Sequence, residues 1–262
     1  MLGRTGATLL GLRLRYWVLT LGISGAILMI RLGVRTQGIF AADVGAVGAY
    51  VTAIGTLYGI LAAFTIYVVW TQFNDAQTAA ETETNELLDL CRFAIYLRDP
   101  SVLDRLRNAI KAYCISVVRV EWPAMSSRTN TDQASDEFED VFQAVHSVRF
   151  DDERDAPAWE KMIAKFEAVS DARTRRLMLA VSGVPRLLRI LIYLVSLALI
   201  VGFFVLAIAN DMVAVVLTVA TTAIVFLVIE VVEDLDDPFG GQWAVSPDSF
   251  ERLPEQLDAF AA

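Results

Sequence analysis

The sequence predicts an all-α membrane protein with four transmembrane helices and a helical cytoplasmic domain between spans two and three. Three observations support this fold class: the chain is 55% hydrophobic with a mean hydropathy of +0.50, its apolar residues form runs near bilayer length, and the polar middle segment has helical spacing. The four predicted spans are residues 16–30, 44–70, 188–208 and 212–232.

The spans divide the chain into four parts. Residues 1–73 hold an N-terminal transmembrane pair, 74–186 a helical cytoplasmic domain, 187–235 a C-terminal transmembrane pair and 236–262 an acidic cytoplasmic tail. Sixteen lysines and arginines lie from Arg92 to Arg189, whereas the turn between spans three and four has none. Because basic segments stay in the cytoplasm, we expect an integral protein of a bacterial inner membrane with both termini cytoplasmic. Arg31 and Arg35 would then lie outside, against that rule.

Span two is predicted to continue as one unbroken helix from Val44 to Leu97. No proline occurs before Pro100, and no glycine falls between Gly59 and Gly183. At about 1.5 Å per residue the helix would reach roughly 80 Å, which is long enough to cross a bilayer and extend beyond it.

Two stripes run along the membrane part of this helix. Small residues, including Gly48, Gly55 and Gly59, recur at spacings of three and four and would let a neighbouring helix approach closely. Beside them lies a second set four residues apart, here called the apolar stripe: Thr56, Ile60, Phe64 and Val68. Ordinary helix packing explains both stripes. Alternatively, the apolar stripe surrounds the axis of an oligomer, where rings of apolar side chains narrow a water-filled path.

The middle domain is predicted to be a bundle of helices. Ser101 can cap a helix that ends at Glu121-Trp122-Pro123, and Ser135 or Asp136 can cap a shorter helix that continues through Val148. A third helix is predicted from Trp159 to about Ser182, with the arginines at 173, 175 and 176 close to the membrane.

No residue pattern in the chain indicates an enzyme. Neither a phosphate-binding glycine loop nor a hydrolase or metalloprotease motif occurs. Cys91 and Cys114 are expected to be reduced and structural, and the single histidine, His146, is expected to lie on the surface or in packing contacts. The prediction is therefore a protein without catalytic residues, cofactor or nucleic-acid partner.

Span four leads into a set of carboxylates, here called the acidic face: Glu230, Glu233, Asp234 and Asp237. Their spacing places them on one side of a helix, where they repel each other and oppose the helix dipole. Three explanations remain open: pairing with the basic helix around Arg173 to Arg189, a ring that concentrates cations at a pore mouth, or a divalent-ion site.

Several motifs make the chain similar to the bestrophin-like family. The span-two pattern GxLYGxLxAFxxxxxWxxF runs from Gly55 to Phe73, and YCISVVRVEW runs from Tyr113 to Trp122. Arg175-Arg176-Leu177, Val184-Pro185 and the element DPFGG, residues 237–241, complete the resemblance, which covers about residues 44 to 250.

The resemblance implies a homo-oligomeric, pentameric ion channel whose second spans surround the pore. Carried over to this sequence, Thr56, Ile60 and Phe64 fall at the neck of the pore, and Phe239 packs against the cytoplasmic helices. The chain is more distantly similar to the bestrophins of animals, which bind calcium with side chains around the last motif; Asp234 and Asp237 are the candidates here. The acidic run that should follow is replaced by residues 241–245, so a complete calcium site is not expected.

The sequence therefore favours a passive channel for small monovalent inorganic ions, with a slight preference for cations because of the acidic face. The expected partners are the lipid bilayer and other copies of the chain. One alternative is a non-conducting scaffold or sensor that recruits a cytosolic partner. A transporter or membrane-anchored enzyme is disfavoured because spans one to three carry no charged residue well inside them.

Overall fold

The computed structural model describes residues 22, 25, 43–97, 99–129, 134–148, 155–206 and 208–259, and every regular element in these ranges is a helix. The elements are α1 (Val44–Ala94), α2 (Pro100–Ser116), a π-helical turn (Val117–Glu121), α3 (Trp122–Ser126), α4 (Ser135–His146), α5 (Ala156–Val181), α6 (Arg186–Val205), α7 (Asp211–Leu235) and α8 (Asp248–Ala259). The all-α class is thereby confirmed. Apart from Gly22 and Gly25, the predicted first span, together with Arg31 and Arg35, lies outside the described residues.

The helices form two compact units. Unit 1 comprises Met1–Trp70 and Val184–Asp234, and unit 2 comprises Thr71–Gly183 and Leu235–Ala262. Three helical stretches within the described residues are long and apolar enough to cross a membrane: Val44–Ala94, Ala156–Val205 and Asp211–Leu235. The break at Gly183-Val184-Pro185 divides the second of these stretches into α5 and α6, and α6 is the more apolar of the two.

Unit 1 is built on one face of α1. Tyr58 and Ala62 pack with Ile192 and Leu199 of α6 and Val225 of α7 in an apolar core. The helices approach closely at Gly202, where an added Cβ would lie 2.9 Å from Cγ2 of Val51. A larger residue there would push α6 away from α1, so this glycine is required by packing.

The helix α1 is continuous over 51 residues, as predicted, and ends at Ala94, three residues before the predicted end. At about 1.5 Å per residue its length is roughly 76 Å. Its first part belongs to unit 1, and the part from Thr71 belongs to unit 2. The absence of proline and of glycine after Gly59 in this segment accounts for its continuity.

Unit 2 is a helical bundle in which α2 packs against α4 and α8. Two predicted caps are wrong. Asp99, not Ser101, caps α2 and accepts a hydrogen bond from the Ser101 amide at 2.9 Å, because Pro100 occupies the first helical turn. In α4 the N-cap position is Ala134, which offers no side-chain bond.

The predicted end of the first bundle helix at Glu121-Trp122-Pro123 is also wrong. The helical path continues through the π-helical turn into α3, which ends at Ser126. Pro123 stands in the first turn of α3, and because proline has no amide hydrogen it donates no bond to the carbonyls of the preceding π-helical turn. The extra residue in the π-helical turn changes which side chains after Ser116 face the core.

The C-terminal segment is part of unit 2 and does not form a separate tail. Phe250, Leu253 and Leu257 of α8 are buried in the same core as α2. Phe239 is also buried, as predicted, and its ring lies edge-on to Trp122 with centroids 5.3 Å apart.

Candidate functional site

The apolar stripe lies on the exposed face of α1. Ile60 and Phe64 are 66% and 55% exposed, whereas Tyr58 and Ala62 on the opposite face are buried. Thr56 is exposed as well and donates a hydrogen bond from its hydroxyl to the Thr52 carbonyl at 2.9 Å. Val68, at the end of the stripe, is half-buried. Within the described part of the chain, the central residues of the stripe are therefore without cover.

The three glycines predicted for helix packing differ in their surroundings. A Cβ added at Gly55 would lie 3.6 Å from Cδ1 of Leu199, so Gly55 faces α6. At Gly48 and Gly59 an added Cβ would meet no described atom within 4 Å. No described residue occupies the space beside these two positions, and glycines of this kind permit close approach by another helix.

The acidic face is smaller than its spacing predicts. The helix α7 ends at Leu235, so Asp237 lies beyond it and does not share the helical face with Glu230, Glu233 and Asp234. Within unit 1, the Tyr193 hydroxyl donates a hydrogen bond to Glu233 at 2.5 Å. The helix ends here because Asp237 precedes Pro238, and helical geometry is disfavoured for a residue before a proline.

Arg128 holds the DPFGG loop, residues 237–241, in unit 2. Its Nη2 donates to the Asp236 carbonyl at 2.6 Å and lies 3.5 Å from the Asp236 carboxylate, which is buried. Its Nε lies 3.8 Å from the carboxylate of Asp237. A Cβ at Gly240 would come within 2.5 Å of the Ser126 carbonyl oxygen, so the loop is fitted against the end of α3.

This arrangement bears on the metal candidates Asp234 and Asp237. Asp237 accepts a hydrogen bond from the Gly240 amide at 3.0 Å and faces the Arg128 guanidinium. The guanidinium supplies the positive charge that a divalent ion would bring. No group of three metal-binding side chains occurs among the described residues. Asp236 and Arg128 were not singled out from the sequence, because Asp236 resembles its acidic neighbours and Arg128 lies in a polar linker.

A network of five side chains, here called the buried charge network, lies in the core of unit 2: Glu83, Tyr113, Glu121, Arg173 and Arg176. Arg176 donates from Nε to Glu83 at 2.7 Å and from Nη2 to Glu121 at 2.8 Å. Arg173 donates from Nη2 to Glu121 at 3.0 Å and from Nε to the Tyr113 hydroxyl at 3.1 Å. The Tyr113 hydroxyl in turn donates to Glu83. Two carboxylates and two guanidiniums thus compensate each other.

The pKa values of the network reflect this compensation. Burial alone would lower the pKa of the Arg176 guanidinium, but the carboxylates of Glu83 and Glu121 reverse the effect and raise it well above its ordinary value. Burial and the adjacent Glu83 raise the pKa of Tyr113 well above its ordinary value. At neutral pH the arginine is charged and the tyrosine is neutral, which is the state that the hydrogen bonds require.

The π-helical turn and its flanking residues complete the network. Glu121 is the last residue of the turn, and Trp122 follows it. The Arg176 guanidinium lies 5.8 Å from the ring centroid of Trp122 and 5.3 Å from that of Phe250. The motif from Tyr113 to Trp122 therefore contributes residues to this network. The sequence signal that could have indicated the network is a glutamate, Glu121, and an arginine, Arg176, on otherwise apolar helix faces.

The arginines at 173, 175 and 176, predicted close to the membrane, differ in their burial. Arg173 and Arg176 are buried in unit 2, and only Arg175 is exposed, paired with Asp75 at 3.1 Å. The contacts of Arg173 and Arg176 are with Glu121 and Glu83, so these two do not supply the pairing suggested for the acidic face.

The remaining singled-out residues have structural contacts. Cys91 and Cys114 are free and buried, and burial raises the pKa of Cys91 to about 12. His146 is exposed and stacks on Phe142 with ring centroids 5.8 Å apart. Both thiols are therefore protonated and unreactive at neutral pH.

Comparison with known proteins gives one family and one group of structures. A family model described as a bestrophin-like domain matches residues 18–250. No curated protein sequence matches the chain. A crystal structure of a bacterial bestrophin homolog from Klebsiella pneumoniae, in a tyrosine-to-alanine variant, matches with a TM-score of 0.74 at 13% identity, covering 94% of this chain and 99% of that one.

Two further structures of the same homolog agree with this match. An isoleucine-to-threonine variant gives a TM-score of 0.72 at 12% identity, covering 93% of this chain and 98% of that one. A structure phased with zinc gives a TM-score of 0.69 at 13% identity, covering 92% of this chain and 98% of that one. At such identities the likeness shows the fold alone.

Proposed function

The chain belongs to the bestrophin-like family, and from this premise we propose that it is a homo-oligomeric channel that conducts small monovalent ions passively. The observation that carries the proposal is the exposed apolar stripe on α1, with Ile60 and Phe64 uncovered in the single chain. In a pentamer of this chain, five copies of α1 would surround an axis and present these residues to it.

Close packing of several copies of α1 requires small residues beside the stripe. Gly48 and Gly59 supply them, because no described side chain lies within 4 Å of an added Cβ at either position. Rings of isoleucine and phenylalanine would then narrow the path and expel water from it, which limits ion passage without binding ions.

The proposed preference for cations depends on the end of α7. Glu230 and Asp234 are half-buried and Glu233 is exposed within unit 1. Copies of these carboxylates around a symmetry axis would attract cations and raise their local concentration.

Ion flux through liposomes that contain the purified protein tests the proposal. The double variant I60A/F64A removes the bulky apolar groups, so the flux of potassium or sodium should rise several-fold. The matched control is Leu197→Ala, an exposed apolar residue of α6, which should leave the flux unchanged. Absence of flux from wild-type liposomes, or equal flux from both variants, would contradict a pore lined by α1.

The alternative, a non-conducting scaffold or sensor, is supported by large apolar side chains on the surface of unit 2. Ile95, Tyr96, Ile115 and Val120 are exposed in the single chain. A stable oligomer that passes no ions in the same assay would favour this function over conduction.

A further inference from the structure

Unit 2 contains a polar cavity of about 570 Å³ that the proposed channel does not use. It lies between the unit 2 part of α1 and the beginning of α8, and all its lining residues belong to unit 2. Its volume falls within the roughly 300–1,000 Å³ that is usual for small-molecule sites. The apolar part of its wall includes Phe73, Val245 and Leu253.

The polar part of the wall has unused hydrogen-bonding capacity. Arg252 donates from Nε to the Asp248 carbonyl at 3.1 Å, and its two terminal nitrogens have no partner among the described residues. Glu81 accepts one bond, from Gln77 at 2.9 Å. The Ser249 hydroxyl is buried and makes no hydrogen bond within the described part of the chain. Arg252, Glu81 and Asp248 are exposed side chains, whereas a buried hydroxyl such as that of Ser249 is normally satisfied by a ligand or by water.

The charges on the wall are of both signs. One guanidinium, that of Arg252, and two carboxylates, those of Glu81 and Asp248, line the same space. A guanidinium binds a carboxylate through paired hydrogen bonds, and carboxylates bind an ammonium group. An anion would be repelled by the two acids, and a simple cation would leave Arg252 unused.

We propose that this cavity is a binding site for a small zwitterion of the amino-acid class. The ligand carboxylate is bound by Arg252, and its ammonium group is bound by Glu81 and Asp248. The Ser249 hydroxyl contributes a further hydrogen bond, and the apolar wall around Phe73 accepts the aliphatic part of the ligand. The site is a property of unit 2 and does not depend on ion conduction.

Isothermal titration of the full-length, detergent-solubilised protein tests this site, with L-leucine and L-glutamine as probes. At least one of the two should bind saturably. Leucinamide keeps only the ammonium group and N-acetyl-leucine keeps only the carboxylate, so both should bind at least tenfold more weakly than leucine. If glutamine is the probe that binds, glutaminamide and N-acetyl-glutamine take their places. Failure of both amino acids to bind, or equal binding of the single-charge analogues, would overturn the proposal.

Substitutions locate the site. Arg252→Gln and Glu81→Gln should each weaken binding at least tenfold, whereas the exposed controls Arg105→Gln and Glu255→Gln, which do not line the cavity, should not. Asn85→Trp, on the exposed surface of α1 at the cavity wall, should block binding while the unfolding temperature stays at the wild-type value. Unchanged binding in Arg252→Gln and Asn85→Trp would place the ligand elsewhere and contradict the proposal.

Discussion

Arg176 shows how a single residue determines the core of unit 2. Its side chain is fully buried and contacts Glu83 and Glu121 directly. The adjacent Arg175 is exposed and pairs only with Asp75 at the surface. The two neighbouring arginines therefore contribute differently to the free energy of unfolding. Removing Arg176 would leave its carboxylate partners charged, buried and without solvent.

We expect Arg176→Met to reduce the free energy of unfolding by about 3–5 kcal/mol, since it leaves buried carboxylates uncompensated. The control Arg175→Gln should change it by less than about 1 kcal/mol, as is typical of exposed ion pairs. Chemical unfolding in detergent, followed by circular dichroism, measures both. Adding Glu83→Gln to Arg176→Met should recover part of the loss, and equal effects of the two arginine variants would argue against the buried network.

At the scale of the element, α7 is the helix whose end differs from the prediction. Three carboxylates lie within its last two turns, and Asp237 belongs instead to the loop held by Arg128. The charge available to a pore mouth is therefore that of Glu230, Glu233 and Asp234. The helix dipole does not stabilise these residues, because its C-terminal end is negative.

The triple variant E230Q/E233Q/D234N should shift the reversal potential of the reconstituted protein toward lower cation preference, if α7 contributes to the ion path as proposed. The control is Asp237→Asn, which removes a charge of the same sign from the adjacent loop and should shift it less. The measurement is a planar-bilayer recording under a salt gradient. An identical reversal potential in the triple variant and the wild type would remove these residues from the path.

At the scale of the whole molecule, the exposed face of α1 bears on assembly. Ile60 and Phe64 lie opposite the face that forms the core of unit 1, so the residues that the structure describes leave them uncovered. An apolar face in a membrane can contact lipid or another copy of the chain, and small residues beside it favour a close helix contact.

Cysteine cross-linking distinguishes these two environments. With Cys91 and Cys114 replaced by alanine, Phe64→Cys should form disulfide-linked dimers in membranes under mild oxidation, because neighbouring copies of α1 bring this position together. Leu197→Cys, exposed on α6, serves as the control and should remain monomeric on a non-reducing gel. Cross-linking of Leu197→Cys alone would place the subunit interface on α6 and contradict the proposed arrangement.

Much of the fold follows from local properties of the sequence. The continuity of α1 depends on the absence of proline from one segment of the chain. The apolar runs of α6 and α7 can be read directly from the sequence. The apolar stripe could be predicted for the same reason, since helical spacing places residues four apart on one side. Ends of helices were predicted less well, because Asp99 caps α2 in place of Ser101 and the helical path continues past Pro123.

What the sequence determined by itself is the helical class and the membrane-capable segments of α1, α6 and α7, which depend on composition and short-range periodicity. The family could also be predicted from the sequence, because its resemblance rests on short motifs. Only the tertiary structure decided which charges meet. Glu83 and Arg176 are separated by 93 positions in the chain and are 2.7 Å apart in the fold. Such a pairing depends on how helices pack and on a π-helical turn that redirects Glu121, and neither leaves a local pattern in the sequence.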